Sequence, residues 1–295
     1  MKTFGRVLTA MITSFNEDGS VNIENTVSIA QHLLDHGSDG LVVCGTTGEN
    51  PTISRESKIA LFKAIAKACG DKGTIIANVG SNDTNGSVDF VKEVSAIPGI
   101  DGLLVVVPYY NKPNQQGQYL HFKSIAEATT LPIMVYNVPG RVGTGIFPAT
   151  LARLHKEYPY ICAIKEASGN LMIASEIKRL MPGDDFMVYS GDDGLTLPIL
   201  SVGGTGVISV VSHVAGQDMN DMIAAFEEGN NKKATQLHQK LSDIIKAMFI
   251  TTNPIPVKYA ARKIGLPAGV FNLPMCEPTT EEAAYIDKAL ADYQK

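Results

Sequence analysis

The segment AIKEASGN, residues 163–170, ends an apolar run with a lysine. Ile161, Ala163 and Ile164 have the character of a buried strand, and Lys165 and Glu166 follow at once. An unpaired charge in such a place is costly, or the group changes its protonation state instead. Two arrangements accommodate it. One is an amine in a desolvated pocket, where burial weakens an ammonium group's hold on its proton and frees the amine to attack a carbonyl and form a Schiff base. The other is a buried ion pair with Glu166, against which stands the alternation of neighbouring strand residues to opposite faces.

Further residues with chemical potential close other apolar runs. Tyr136, in YNVPGR, is either a core aromatic or, beside a Schiff-base lysine, a general acid/base; its ordinary pKa near 10 then requires hydrogen-bonded partners that relay protons. GTTGEN, residues 45–50, offers turn-forming glycines, the hydroxyls of Thr46 and Thr47, and backbone N–H groups able to hold a carboxylate or phosphate, although a plain strand-to-helix turn has the same composition. It lacks the Lys-Ser/Thr of a P-loop. Arg141 is either a solvated loop charge or a bidentate carboxylate contact. PYYNKP, residues 108–113, fits a subunit contact. SGDD, residues 190–193, reads as a helix cap rather than a metal site, since partner carboxylates and histidines are missing.

These residues need elements to position them. Eight β-rich runs, at 6–13, 40–46, 74–80, 102–108, 132–138, 161–167, 186–192 and 205–211, alternate with helical periods. Most runs lack polar alternation, as expected of parallel strands covered on both faces. Eight strand-helix units predict a (β/α)8 TIM barrel, over a doubly wound sheet that would carry a dinucleotide or phosphate fingerprint. In such barrels active sites lie at the C-terminal strand ends, where all the residues above fall. Beyond residue 233 the strand signals stop and three helical stretches follow. The expected domains are therefore a catalytic barrel over 1–228 and a helical region over 229–295, an appendage behind the barrel.

With 295 residues, 44% hydrophobic and 19% charged, the chain can bury a full core. The net charge of -5 provides no basic field for nucleic acid or an anionic membrane. The four cysteines form neither a CxxC pair nor a zinc cluster, so no metal is expected. The N-terminal run is interrupted by Arg6 and lacks a cleavage site, and no span reaches membrane length; the expectation is a cytoplasmic protein.

Together, the motifs GTTGEN, PYYNKP, YNVPGR and KEASGN, with NPIPVKYA in the tail, resemble the dihydrodipicolinate synthase family of the class I pyruvate-dependent aldolase and lyase superfamily, over essentially the full length. The resemblance implies condensation of pyruvate with L-aspartate 4-semialdehyde to 4-hydroxy-tetrahydrodipicolinate, toward diaminopimelate and lysine, without a cofactor. By the resemblance Lys165 forms the imine and Tyr136 moves protons, with Thr47 and Tyr110 as relay partners. Thr46 and Thr47 hold the pyruvate carboxylate, Arg141 binds the semialdehyde carboxylate, and Gly191 and Ile208 supply backbone groups near the substrates. Tyr110 reaches into a neighbouring subunit's site, which implies a homodimer or a tetramer of dimers.

At the regulatory site of lysine-inhibited relatives, a histidine is replaced here by Lys58 and a glutamate by Gly86, while Asn82 and Tyr109 are kept. Feedback by lysine is therefore expected to be weak or absent. Rival readings are an N-acetylneuraminate lyase or keto-sugar-acid aldolase, which Arg141 disfavours, and a non-catalytic keto-acid sensor, which has no need of a proton relay.

Overall fold

The computed structural model describes residues 4–294. Eight strands, β1 (Val7–Ala10), β2 (Gly40–Val43), β3 (Thr74–Asn78), β4 (Gly102–Val106), β5 (Ile133–Asn137), β6 (Ile161–Glu166), β7 (Met187–Ser190) and β8 (Gly206–Ser209), pair in parallel and in chain order into a closed barrel. The seam closes where β8 pairs with β1, Leu8 against Ile208. Nearly every strand residue is buried, because side chains on one face fill the barrel and those on the other meet the helices.

The outer layer comprises α1 (Ile23–Asp35), α2 (Arg55–Cys69), α3 (Thr84–Ser95), α4 (Gln115–Ala126), α5 (Pro139–Val142), α6 (Pro148–Glu157), α7 (Leu171–Leu180), α8 (Thr196–Ser201) and α9 (Ser212–Glu227). Their starts follow local chemistry. Ser54 caps α2 by accepting from the N–H of Ser57, and Asn170 caps α7 by accepting from that of Met172. The strands are shorter at their C-terminal ends than the apolar runs, since those last residues leave the ladder to build the mouth. At β2 the departure is abrupt: Cys44 takes a left-handed φ of 55°.

Three differences from the sequence expectation concern the site. Arg141 lies not on an open loop but in α5, a single turn started by Pro139 and closed by Gly143. The sequence pattern places the last barrel helix at residues 217–228; it begins at Ser212, with a non-helical Ala215 marking the kink before that stretch. The C-terminal helices α10 (Asn231–Met248), α11 (Ile255–Lys263) and α12 (Thr280–Tyr293) are present. They do not all stand behind the barrel, for the turn between α10 and α11 reaches its mouth, where Asn253 bonds to Thr47 and Arg141.

His213 pins the seam from within. Its Nε2 accepts from the N–H of Ile12 at 3.1 Å, so the proton sits on Nδ1, which donates to the carbonyl of Val210 at 2.8 Å. Burial pushes the imidazole down to about 4, against the opposing pull of the Val210 carbonyl. Unfolded, the same ring takes up a proton below about pH 6.5. Between these values the unfolded state holds more protons, so stability from this group is lost as pH falls through the window, to a total of about 3 kcal/mol. The expected outcome is that the denaturation midpoint of the His213→Gln variant falls less between pH 7 and pH 4 than that of the wild type. Parallel curves would remove His213 from the acid response.

Candidate active site

Register creates the centre of the site. Across β5 and β6, Tyr136 pairs with Lys165 and Asn137 with Glu166. Paired residues on neighbouring strands share a face, and successive residues alternate faces. The first pair therefore turns to the barrel interior and the second to the outer side. Lys165 Nζ lies 4.5 Å from the centre of the Tyr136 ring. Glu166 accepts from Asn137 Nδ2 at 2.7 Å and from the N–H of Ser168 at 2.7 Å. Burial pushes its carboxyl up, and those hydrogen bonds oppose the rise.

Lys165 is only 6% exposed, and among the described residues it forms no ion pair and no hydrogen bond. The Lys165–Glu166 pair considered from sequence is absent for the geometric reason given above. An amine held beside a phenol, without a carboxylate partner, is poised for a carbonyl electrophile.

A cavity of about 220 Å³ opens over Lys165 at the C-terminal mouth. Thr46, Thr47, Tyr136, Arg141 and Gly191 line it, together with Asp192, Val210, Phe249 and Asn253. An adjoining lobe of about 200 Å³ shares Thr46, Tyr136 and Arg141 and extends to Tyr109. Gly191 is required by packing: a Cβ there would meet that of Ala167 at 2.5 Å. Thr47 Oγ1 accepts from Asn253 Nδ2 at 3.0 Å, and Arg141 Nη2 donates to the carbonyl of Asn253 at 3.2 Å. Because the amide only donates, the Thr47 hydroxyl keeps its proton for another acceptor. A larger cleft of about 550 Å³ at the opposite barrel end holds charges already spoken for, among them Arg6 with Glu227 and Lys72 with Asp35.

The remaining sequence candidates lie elsewhere. Tyr110 is 88% exposed, with a left-handed φ of 69°, and lines neither lobe. Ile208 is fully buried within β8, and Val210, two residues on, lines the cavity. Lys58 is half-buried near Cys44, its ammonium group pushed down by burial. Gly86 is in the first turn of α3, and the Asn82 carbonyl accepts from Asn111 Nδ2.

Sequence reasoning overlooked Asn253 and misjudged half of the aspartate pair. Asn253 stood in the tail motif NPIPVKYA without a role of its own. Asp192 does cap, accepting from the N–H of Gly194 at 2.9 Å. Asp193 turns inward and accepts from Ser209 Oγ and from the N–H groups of Val210 and Val211, fixing the chain that carries Val210 to the cavity. Burial pushes its carboxyl up to about 6 despite these bonds. Asp193→Asn places an amide NH2 against one of these donors, and the expected cost is about 1–3 kcal/mol of stability. An unchanged melting temperature would show that the carboxylate is not the anchor.

The model of the dihydrodipicolinate synthetase family matches residues 3–293. The 4-hydroxy-tetrahydrodipicolinate synthase of Moorella thermoacetica is 52% identical over 289 residues, covering 98% of each chain. Among solved structures, a dihydrodipicolinate synthase from Bacillus anthracis is 43% identical with a TM-score of 0.95, covering 99% of both chains. One from Cyanidioschyzon merolae, with lysine bound, is 42% identical with a TM-score of 0.96, covering 99% of this chain and 98% of its own.

Proposed function

The chain belongs to the dihydrodipicolinate synthetase family, and from that premise we propose that it condenses pyruvate with L-aspartate 4-semialdehyde to 4-hydroxy-tetrahydrodipicolinate. The observation that carries the mechanism is the buried, unpaired Lys165 in register with Tyr136 beneath the mouth cavity.

The Lys165 amine adds to the ketone carbon of pyruvate and water leaves, giving an imine. The imine withdraws electrons from the adjacent methyl group, which loses a proton to become an enamine. The enamine carbon attacks the aldehyde, whose oxygen takes up a proton. The semialdehyde's amine then adds to the former ketone carbon and displaces Lys165, closing the ring. The net products are the cyclic imine and one water. Tyr136 moves the protons, with Thr47 as its partner; Thr46 and Thr47 hold the pyruvate carboxylate, and Arg141 that of the semialdehyde. Gly191 and Ile208 supply backbone groups beside the substrates. Tyr110, exposed on a strained loop, completes the relay in a second subunit of a homodimer or tetramer. No helix among the described residues is long and apolar enough to cross a membrane, which fits a cytoplasmic biosynthetic enzyme.

Incubation with pyruvate and borohydride should add a reduced three-carbon unit to Lys165, found by peptide mass analysis. Absence of that adduct sinks the mechanism. Tyr136→Phe should lower kcat by roughly 10²–10⁴-fold, the usual contribution of a positioned acid/base.

Regulation by lysine should be weak. Lys58 presents a like charge to a lysine ligand, and Gly86 offers no carboxylate for its amine. Activity should persist at millimolar lysine; inhibition below that would overturn this part of the reading.

A further inference from the structure

One ion pair stands apart among the described residues. Glu49 and Lys258 are sealed from solvent, their side chains 2% and 0% exposed, whereas the other ion pairs reach water. Lys258 Nζ donates to Glu49 Oε1 at 2.7 Å and to the carbonyl of Val270, and lies 4.4 Å from the centre of the Phe15 ring. Glu49 Oε2 accepts from the N–H of Asn272 at 3.1 Å. Three segments meet here: the turn after β2, helix α11, and the stretch before α12. Taking two charges out of water costs several kcal/mol, and apolar residues of similar size would serve stability as well or better.

The location of Glu49 supplies another reason. It occupies a left-handed conformation, φ 56° and ψ 38°, which costs a residue with a side chain on the order of 1–2 kcal/mol. Cys44 is left-handed at the other end of the same turn. Between them run Gly45, Thr46, Thr47 and Gly48, closed by bonds from Gly48 N to Gly45 O and from Glu49 N to Thr46 O, both 3.1 Å. This strained turn is what delivers Thr46 and Thr47 to the cavity.

We propose that the Glu49–Lys258 pair is a positioning clamp for the reaction: it anchors the end of the strained turn to the C-terminal helices and thereby sets Thr46 and Thr47 for the keto-acid carboxylate. Neither residue lines the cavity, so both act through the threonines. The clamp makes the C-terminal region part of the keto-acid site. It rests on the reading that Lys165 carries pyruvate.

The test uses the full-length enzyme and the variants Lys258→Met, Glu49→Gln and both together. Melting temperature, kcat, KM for each substrate, and borohydride trapping on Lys165 as a function of pyruvate concentration are measured. KM for pyruvate and the half-saturating concentration for trapping should rise on the order of tenfold, as for a displaced orienting group. KM for the semialdehyde should change by less than about twofold, and the Lys165 adduct should be recovered in full at saturating pyruvate. A merely structural pair would lower the melting temperature and the yield of active protein while leaving both pyruvate half-saturation values within about twofold of wild type, and that result overturns the clamp. Should Lys258→Met fail to fold, the near-isosteric Glu49→Gln decides by the same criterion. Failure to trap pyruvate on Lys165 in the wild type would instead refute the functional reading.

Discussion

The parallel register between β5 and β6 is the constraint on which the rest of the site depends. Pairing Tyr136 with Lys165 and Asn137 with Glu166 assigns four polar groups, two on each strand, to two environments in one step. The inward pair becomes an amine and a phenol in contact, and the outward pair becomes a hydrogen-bonded carboxylate and amide. A slip of one residue would exchange them, leaving the carboxylate inside and the lysine among the helices. Barrel closure protects against that slip, because every strand is locked between two neighbours.

Around this pair the protein places strain and desolvation at the proposed keto-acid site. The turn that carries Thr46 and Thr47 is bounded by two left-handed non-glycine residues, and it persists because surrounding contacts over-determine it. Those contacts come from the far end of the chain: Asn253 at Thr47, and Lys258 with Asn272 at Glu49. The C-terminal helices are thus tied to the mouth as well as packed on the barrel. Asn253 also takes the Arg141 guanidinium on its carbonyl, so one residue couples the two proposed carboxylate contacts.

Buried ionisable groups outside the cavity serve the same geometry. His213 stays neutral so that it can bridge the chain leaving β1 and the chain leaving β8. Asp193 gathers three donors just after β8. Both are held by partners close in space and unpaired with any countercharge, so both move from their ordinary titration range because of burial, in the directions their charges dictate.

What could be read from the sequence was whatever is written locally. Apolar runs without alternation announced covered parallel strands, and eight of them with helices between specified the barrel. A lysine ending an apolar run, a tyrosine ending the one before, and a Gly-Thr-Thr-Gly turn pointed to the mouth for the same reason: each is an odd residue type for its local pattern. Relations across large separations leave no such mark. Asn253 had no role there because its amide meets Thr47 across a separation of 206 positions, and Lys258 had none because Glu49 lies 209 positions away. The sequence by itself determined the elements and the residue types available at their ends. The tertiary structure alone decided which groups meet, because side-chain direction and long-range contact are set by register and packing, which no local window contains.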